Sequence, residues 1–170
     1  MKPDTSPASV AATAGVEATP TQTVDEALLR QYLGYRLKLA YLPVLADARL
    51  AVEPLGLRIA TSSALHIVVG NPGISQSQLA LALNIERSRV VLLVDELEKL
   101  GLITRNKVPG DRRSYALCAT SAGEALFKQA SDALLEHEER VFAGLTEAER
   151  RQLTALLDKV HQSITDSTES

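Results

Sequence analysis

Two basic clusters carry most of the chemistry available to this chain. Arg87, Ser88 and Arg89 open the run RSRVVLLVDELEKLGL, and Arg105, Lys107, Arg112 and Arg113 crowd the segment RNKVPGDRR that follows it. A guanidinium bonds a guanine edge or a phosphate through parallel N–H groups, a serine hydroxyl reaches base or phosphate, and an outward Val91 or Leu92 can touch a thymine methyl. Arginine in a first helical turn sits badly against the helix dipole, and an anionic partner resolves a conflict that an incidental basic turn leaves standing. The second cluster contains one acid, Asp111, expected to brace a neighbouring arginine while the loop enters a minor groove; the competing reading is a solvated charged loop.

Such residues need two helices and a hairpin to hold them. Ser75 with Gln78 forms a capping box that opens a short helix, and Asn84, tolerant of the left-handed conformation, closes it. The next helix is predicted over about 86–100, with Val90, Val94 and Leu97 turned inward and Gly101 as its terminator. Residues 103–105 and 114–117 read as short strands around a tip at Pro109-Gly110. The second helix of such a pair presents its N-terminal residues to the major groove. Arg87, Ser88 and Arg89 therefore join Ser75, Gln76, Arg105, Lys107, Arg112 and Arg113 as the expected DNA-facing set.

Elements on either side support this unit. Thr23 with Glu26 is expected to cap a long first helix that Pro43 kinks or halves, and a further helix is predicted over 59–69 before the turn Gly70-Asn71-Pro72-Gly73. Ser121 with Glu124 and Thr146 with Glu149 would start two terminal helices. The last places Leu153, Leu156, Leu157, Val160 and Ile164 at helical spacing. These helices carry more apolar surface than a small domain can cover, so with the first helix they are expected to form an intertwined homodimer interface. A break at Gly144 argues against a coiled coil. The expected fold is mainly α with a small β-hairpin wing: a winged helix-turn-helix at 57–121, helical dimerisation regions at 23–56 and 122–170, and a disordered leader at 1–22.

Composition narrows the class further. The 170 residues are 45% hydrophobic and 4% aromatic with no Trp, so the core must be built from Leu, Val, Ile and Ala, which favours helix packed on helix. A single cysteine, Cys118, excludes an internal disulfide and fits a reducing cytoplasm. No apolar run is long enough to cross a membrane, and the N-terminus lacks a signal-peptide core. The net charge of −3 conceals a split, because residues 57–121 hold eight basic side chains against five acids, leaving +3 there and −6 elsewhere.

An enzyme is disfavoured. His137-Glu138 could begin a zinc-protease motif, but Val141 stands where the second histidine is needed. The three histidines are scattered, the cysteine has no partner at ligand spacing, and neither a phosphate-binding glycine loop nor a nucleophile elbow occurs. No metal or cofactor is expected.

The stretch from Leu33 to Ile164 resembles the MarR family of bacterial winged-helix regulators. The resemblance is carried by LEKLGLITR, then DRR, then LCATSAG, matching the pattern LExxGLxxR…DxRxxxxxLTxxG at Leu97, Glu98, Gly101, Leu102, Arg105, Asp111, Arg113, Thr120 and Gly123. Ala119 replaces the usual Leu, and Val91-Leu92 replace a polar pair common on the recognition helix. The resemblance implies a homodimer on a pseudo-palindromic operator of double-stranded DNA, usually a repressor, released by a small ligand between the dimerisation and DNA-binding lobes. Tyr32, Tyr35, Arg36, Arg49 and His66 lie near the family's usual pocket, where an arginine could receive a carboxylate; the alternative for each is a surface ion pair or a satisfied core residue. The wording VVLLVDELEKLGL looks most like members controlling aromatic-acid catabolism, which implies a hydroxybenzoate- or hydroxycinnamate-like effector, as free acid or coenzyme A thioester. Cys118 does not stand where family redox sensors place theirs and reads as a small apolar strand residue. The rival reading is a winged-helix module that binds protein or RNA without recognising an operator.

Overall fold

The computed structural model describes residues 25–108 and 111–168, with side chains placed at all of these except 108, 111–114 and 167–168. The expected leader and the Pro109-Gly110 tip lie outside the described residues.

The N-terminal unit, ending at Arg36, departs from the single long helix that Thr23 and Glu26 suggested. Helix α1 spans only Ala27–Arg30, and α2 begins afresh at Leu33. Side chains take carbonyls that a continuing helix would give to its own amides. Gln31 Nε2 donates to Leu28 O at 2.7 Å, and Arg36 Nε donates to Arg30 O at 2.6 Å. Glu26 is the N-cap of α1 and makes no side-chain cap bond, while Asp25 Oδ1 accepts from the Ala27 N–H at 2.8 Å; Thr23 lies outside the described residues.

Helix α2 runs Leu33–Val52 and continues across Pro43, where a kink or stop was expected. One missing N–H costs a hydrogen bond, which the flanking turns tolerate. A 3-10 turn at Glu53–Leu55 ends on Gly56, whose φ of 71° explains the glycine. Helix α3 (Ile59–Gly70), strand β1 (Ile74–Ser75) and helices α4 (Gln76–Leu83) and α5 (Arg87–Lys99) follow. The Ser75 capping box forms as read, with Gln78 N–H donating to Ser75 Oγ at 3.2 Å and Ser75 N–H donating to Gln78 Oε1 at 3.0 Å. Asn84 closes α4 at φ 50°, and Gly101 closes α5 at φ 71°.

Strands β2 (Ile103–Val108) and β3 (Asp111–Ala119) are longer than their alternation suggested, and β1 adds a third, two-residue strand that periodicity could not show. The antiparallel order is β1-β3-β2, with Ile74 opposite Leu117 and Ile103 opposite Ala119. Helices α6 (Ser121–Val141) and α7 (Glu147–Thr168) complete the chain. The fold is mainly α with a small three-stranded sheet, as composition implied.

The core is one cluster of aliphatic side chains drawn from every element between α2 and α6. Val52, Ala64, Leu65, Val68, Leu79, Val90, Val94, Leu97, Leu117 and Ala130 have no exposed surface. No aromatic side chain is fully buried among the described residues.

Thr120, not Ser121, is the N-cap of α6, which corrects the expected Ser121–Glu124 box. Its hydroxyl donates to Gly101 O at 2.7 Å and accepts from Gly123 N–H at 3.0 Å. Thr120 N–H also donates to Leu102 O at 3.0 Å. One residue thus joins the end of α5 to the start of α6. Its second oxygen bond explains why the cap shifts by one residue: Ser121 does not occupy the position facing Gly101. Gly123 completes the joint, because a Cβ there would land on the Leu102 carbonyl. Gly123→Ala should therefore cost about 1–3 kcal/mol in chemical denaturation by overpacking; wild-type stability in that variant would show that the joint has slack.

Candidate nucleic-acid interface and adjoining clefts

Helix α5 is anchored by one face and presents the other. Val90, Val94 and Leu97 are fully buried, and Leu93 is nearly so. The same periodicity turns Arg87, Ser88, Arg89, Val91 and Leu92 to solvent, with Leu92 68% exposed. Arg87 and Arg89 make no ion pair among the described residues. Ser88 Oγ is 3.4 Å from Glu86 Oε2 at the N-cap. The first turn of α5 is thus an exposed, positively charged helix end.

The remaining members of the expected set divide into two groups. Ser75 is half-buried and spends its hydroxyl on the α4 cap, donating to Gln78 Oε1 at 2.8 Å. Arg105, on β2, is folded back rather than presented. Its side chain is 20% exposed, and its guanidinium pairs with Asp95 and with Glu98, the latter at 2.7 Å. That pairing ties the wing to the last turns of α5, a role that spacing along the chain could not show. Gln76 opens α4 half-buried, and Lys107 is exposed on β2. Arg112 and Arg113 lie on β3 and Asp111 begins it, but their side chains are outside the described ones, so the expected Asp111 brace is outside them too.

Two clefts adjoin this unit. The larger, about 960 Å³, is lined by apolar groups of α2, α3 and α5, including Tyr41, Leu45, Ile59 and Leu93, and by Leu57 before α3, with Arg49, Glu53 and Arg58 among them. The smaller, about 530 Å³, is bounded by α2, α3 and α6 and includes Ser62, His66, His137 and Glu138. Ser62 Oγ is buried and has no hydrogen-bond partner among the described residues.

The expected ligand residues scatter across this arrangement. Arg49 is exposed and lines the larger cleft. His66 lines the smaller one, but both ring nitrogens are engaged: Nδ1–H donates to Ser62 O at 2.7 Å, and Nε2 lies 3.1 Å from Ser131 Oγ. Its ring packs edge-on against Phe127 at 4.8 Å. It fits the satisfied-residue alternative better than an open ligand group. Tyr32, Tyr35 and Arg36 belong to the N-terminal unit, where Arg36 is spent on Arg30 O. The Tyr35 phenol is pushed up by desolvation and by the neighbouring Glu26 carboxylate.

Charge pairing between residues far apart in sequence holds α2 against α6. Asp47 Oδ2 accepts from His137 Nδ1–H at 2.6 Å and from Arg140 at 2.8 Å, with His137 only 3% exposed. These hydrogen bonds, His137 first, hold the Asp47 carboxyl below its ordinary range. Asp47 lies 90 and 93 positions from His137 and Arg140, so no local motif announces the cluster. Among the described residues, no group of three His, Cys, Asp or Glu side chains is placed to hold a metal ion, and no helix is long and apolar enough to cross a membrane.

Comparison with known proteins adds to this geometry. Residues 55–114 match a family model described as the MarR family. A candidate transcriptional regulatory protein for the hcr operon of Thauera aromatica is 33% identical over 131 residues, spanning 76% of this chain and 79% of the relative. The transcriptional repressor CouR, solved on a 23-mer DNA duplex, is 34% identical with a TM-score of 0.77, covering 81% of this chain and 98% of that one. CouR from Rhodococcus jostii bound to p-coumaroyl-CoA is 30% identical with a TM-score of 0.69, covering 78% and 93% respectively.

The Asp47 cluster makes a signed prediction. A carboxyl depressed in the folded state contributes stability that is present above its unfolded value and lost as pH falls through the folded one. Stability should therefore decline as pH drops below about 4, and Asp47→Asn should lower stability at neutral pH while flattening that acid slope. Parallel acid-unfolding profiles for the two proteins would show that the cluster contributes nothing.

Proposed function

The chain belongs to the MarR family of transcriptional regulators, and from that premise we propose that it is a dimeric repressor, released from a pseudo-palindromic operator by a small aromatic acid or its coenzyme A thioester. As a MarR-type regulator it binds DNA. The observation that carries the finer reading is the two-faced α5, whose buried Val90, Val94 and Leu97 leave Arg87, Ser88, Arg89, Val91 and Leu92 outward. Laid in a major groove, Arg87 and Arg89 bond base edges or phosphates, and Val91 and Leu92 supply apolar contact to thymine methyls. Lys107, Arg112 and Arg113 extend the cationic surface along the wing toward the adjacent backbone and minor groove. Arg105 and Ser75 act by holding wing and helix in place.

In this reading residues 57–121 form the DNA-binding lobe, and 23–56 with 122–170 form the dimerisation region. Helix α7 supports it, because Leu153, Leu156, Leu157, Val160 and Ile164 form an aliphatic stripe that is 38–63% exposed in the single chain. A stripe of that size on one soluble chain calls for a partner, and a second copy supplies the same stripe in return.

The clefts are the proposed effector site. Their aliphatic walls suit an aromatic ring, Arg49 and Arg58 suit a carboxylate or phosphate, and the unpartnered Ser62 hydroxyl suits a polar substituent deep in the smaller cleft. That CouR is known bound to p-coumaroyl-CoA supports this ligand class.

Three measurements test the proposal. Operator-containing duplex should bind roughly 10³-fold more tightly than random duplex at matched salt, whereas equal affinity would favour a non-specific protein or RNA module. Arg89→Ala should change preference at particular base pairs, while Arg112→Ala should weaken all sequences alike and reduce the salt slope by about one. Leu156→Glu with Val160→Glu should yield a monomer by light scattering and abolish operator binding; a dimer that still binds would move the interface off α7.

A further inference from the structure

Helix α5 carries three acids, Asp95, Glu96 and Glu98, within four residues of an element that the functional reading lays against DNA. Two arginines answer them from opposite sides. Arg105 reaches Asp95 and Glu98 from the wing strand β2. Glu96 is met instead by Arg58, which stands at the N-cap of α3 and also lines the larger cleft. Leu93, one turn before Glu96 or Leu97, forms part of the wall of the same cleft. The cleft and the recognition helix are therefore joined at two points, one apolar and one ionic.

We propose that Arg58 is the residue that couples occupancy of this cleft to DNA affinity, by exchanging Glu96 for an anionic group of the occupant. The inference rests on the reading of the cleft as the effector site. In the unoccupied protein the guanidinium neutralises Glu96 and tethers the C-terminal half of α5 to the start of α3. A carboxylate or phosphate entering the cleft competes for that guanidinium. Glu96 is then left uncompensated on a helix facing polyanionic DNA, and the ionic tether is lost.

The exposure of the pair suits an exchange. Arg58 is 68% exposed and Glu96 32%, so the bond lies in the weak range of solvated ion pairs, and a ligand of ordinary affinity can displace it. Arg105 differs, because its side chain is only 20% exposed and its guanidinium is held by two carboxylates at once. Arg49 also lines the cleft, but no ion pair links it to α5 among the described residues. Coupling is reciprocal, so whatever Glu96 contributes to holding Arg58 must be subtracted from the affinity of the occupant.

The test uses the full-length protein, operator duplex, and p-coumaroyl-CoA and salicylate as probes. Each probe is titrated against DNA-free protein, and operator affinity is then measured with and without saturating probe. Glu96→Gln should bind an anionic probe about two- to fivefold more tightly, the range an exposed ion pair supplies, and should lose a similar factor of probe-induced DNA release. Arg58→Gln should bind the probe more weakly, Arg58→Lys should recover part of that loss, and the Arg58→Gln/Glu96→Gln protein should behave as Arg58→Gln alone. A merely structural role for the pair predicts no gain of probe affinity in Glu96→Gln. Wild-type probe affinity together with full release in that variant would overturn this inference alone. Wild-type protein that holds operator unchanged with both probes would overturn the effector reading, and this inference with it.

Discussion

Val90, Val94 and Leu97 have no exposed surface, and with Leu93 they seat α5 against α3 and the base of the sheet. Each such side chain contributes about 1.5–3 kcal/mol by leaving water, so rotating the helix about its axis to hide another face would forfeit most of that sum. The consequence is geometric. A helix with a buried stripe at this spacing must turn the residues between to solvent, and here those residues are Arg87, Ser88, Arg89, Val91 and Leu92. The chemistry of the exposed face is thus placed by packing on the hidden one. The joint that follows α5, made by Thr120, Gly101, Leu102 and Gly123, carries that orientation into α6.

Electrostatics sort the cations of the chain into two populations. Arg58, Arg105 and Arg140 are spent on carboxylates of the chain itself, where they tie α3, β2 and α6 to neighbouring helices. Arg87 and Arg89 are not paired among the described residues and stand at the positive end of a helix dipole. The net charge of −3 says little about DNA, because affinity follows the local field and not the total. Pairing also makes an acidic run on α5 compatible with a surface meant for phosphates.

Local signals were easily read where physical cause and effect lie within a few residues. The Ser75–Gln78 box, the left-handed Asn84 and Gly101, and the Thr146–Glu149 cap all form, since each involves a side chain and an amide three positions apart or a single backbone angle. Local pattern is ambiguous where two options are nearly equal. Thr120 displaced Ser121 as a cap because Gly101 O accepts its hydroxyl, a contact 19 residues away in sequence. The break at Gln31–Tyr32 arose from side chains competing for main-chain carbonyls. Strand β1, two residues long, exists only because β3 lies beside it.

The sequence by itself determined the order of the main helices and the β2–β3 hairpin, the aliphatic composition of the core, the polarity of α5 and the concentration of positive charge around the helix pair. These depend on periodicity, capping and composition, which act over one or two turns. Only the tertiary structure decided which arginines remain available, since Arg105 finds Asp95 and Glu98, Arg58 finds Glu96 across 38 residues, and Asp47 finds His137 across 90. An ion pair needs two charges brought within reach, and for residues distant along the chain it is the packing of the core that sets that distance.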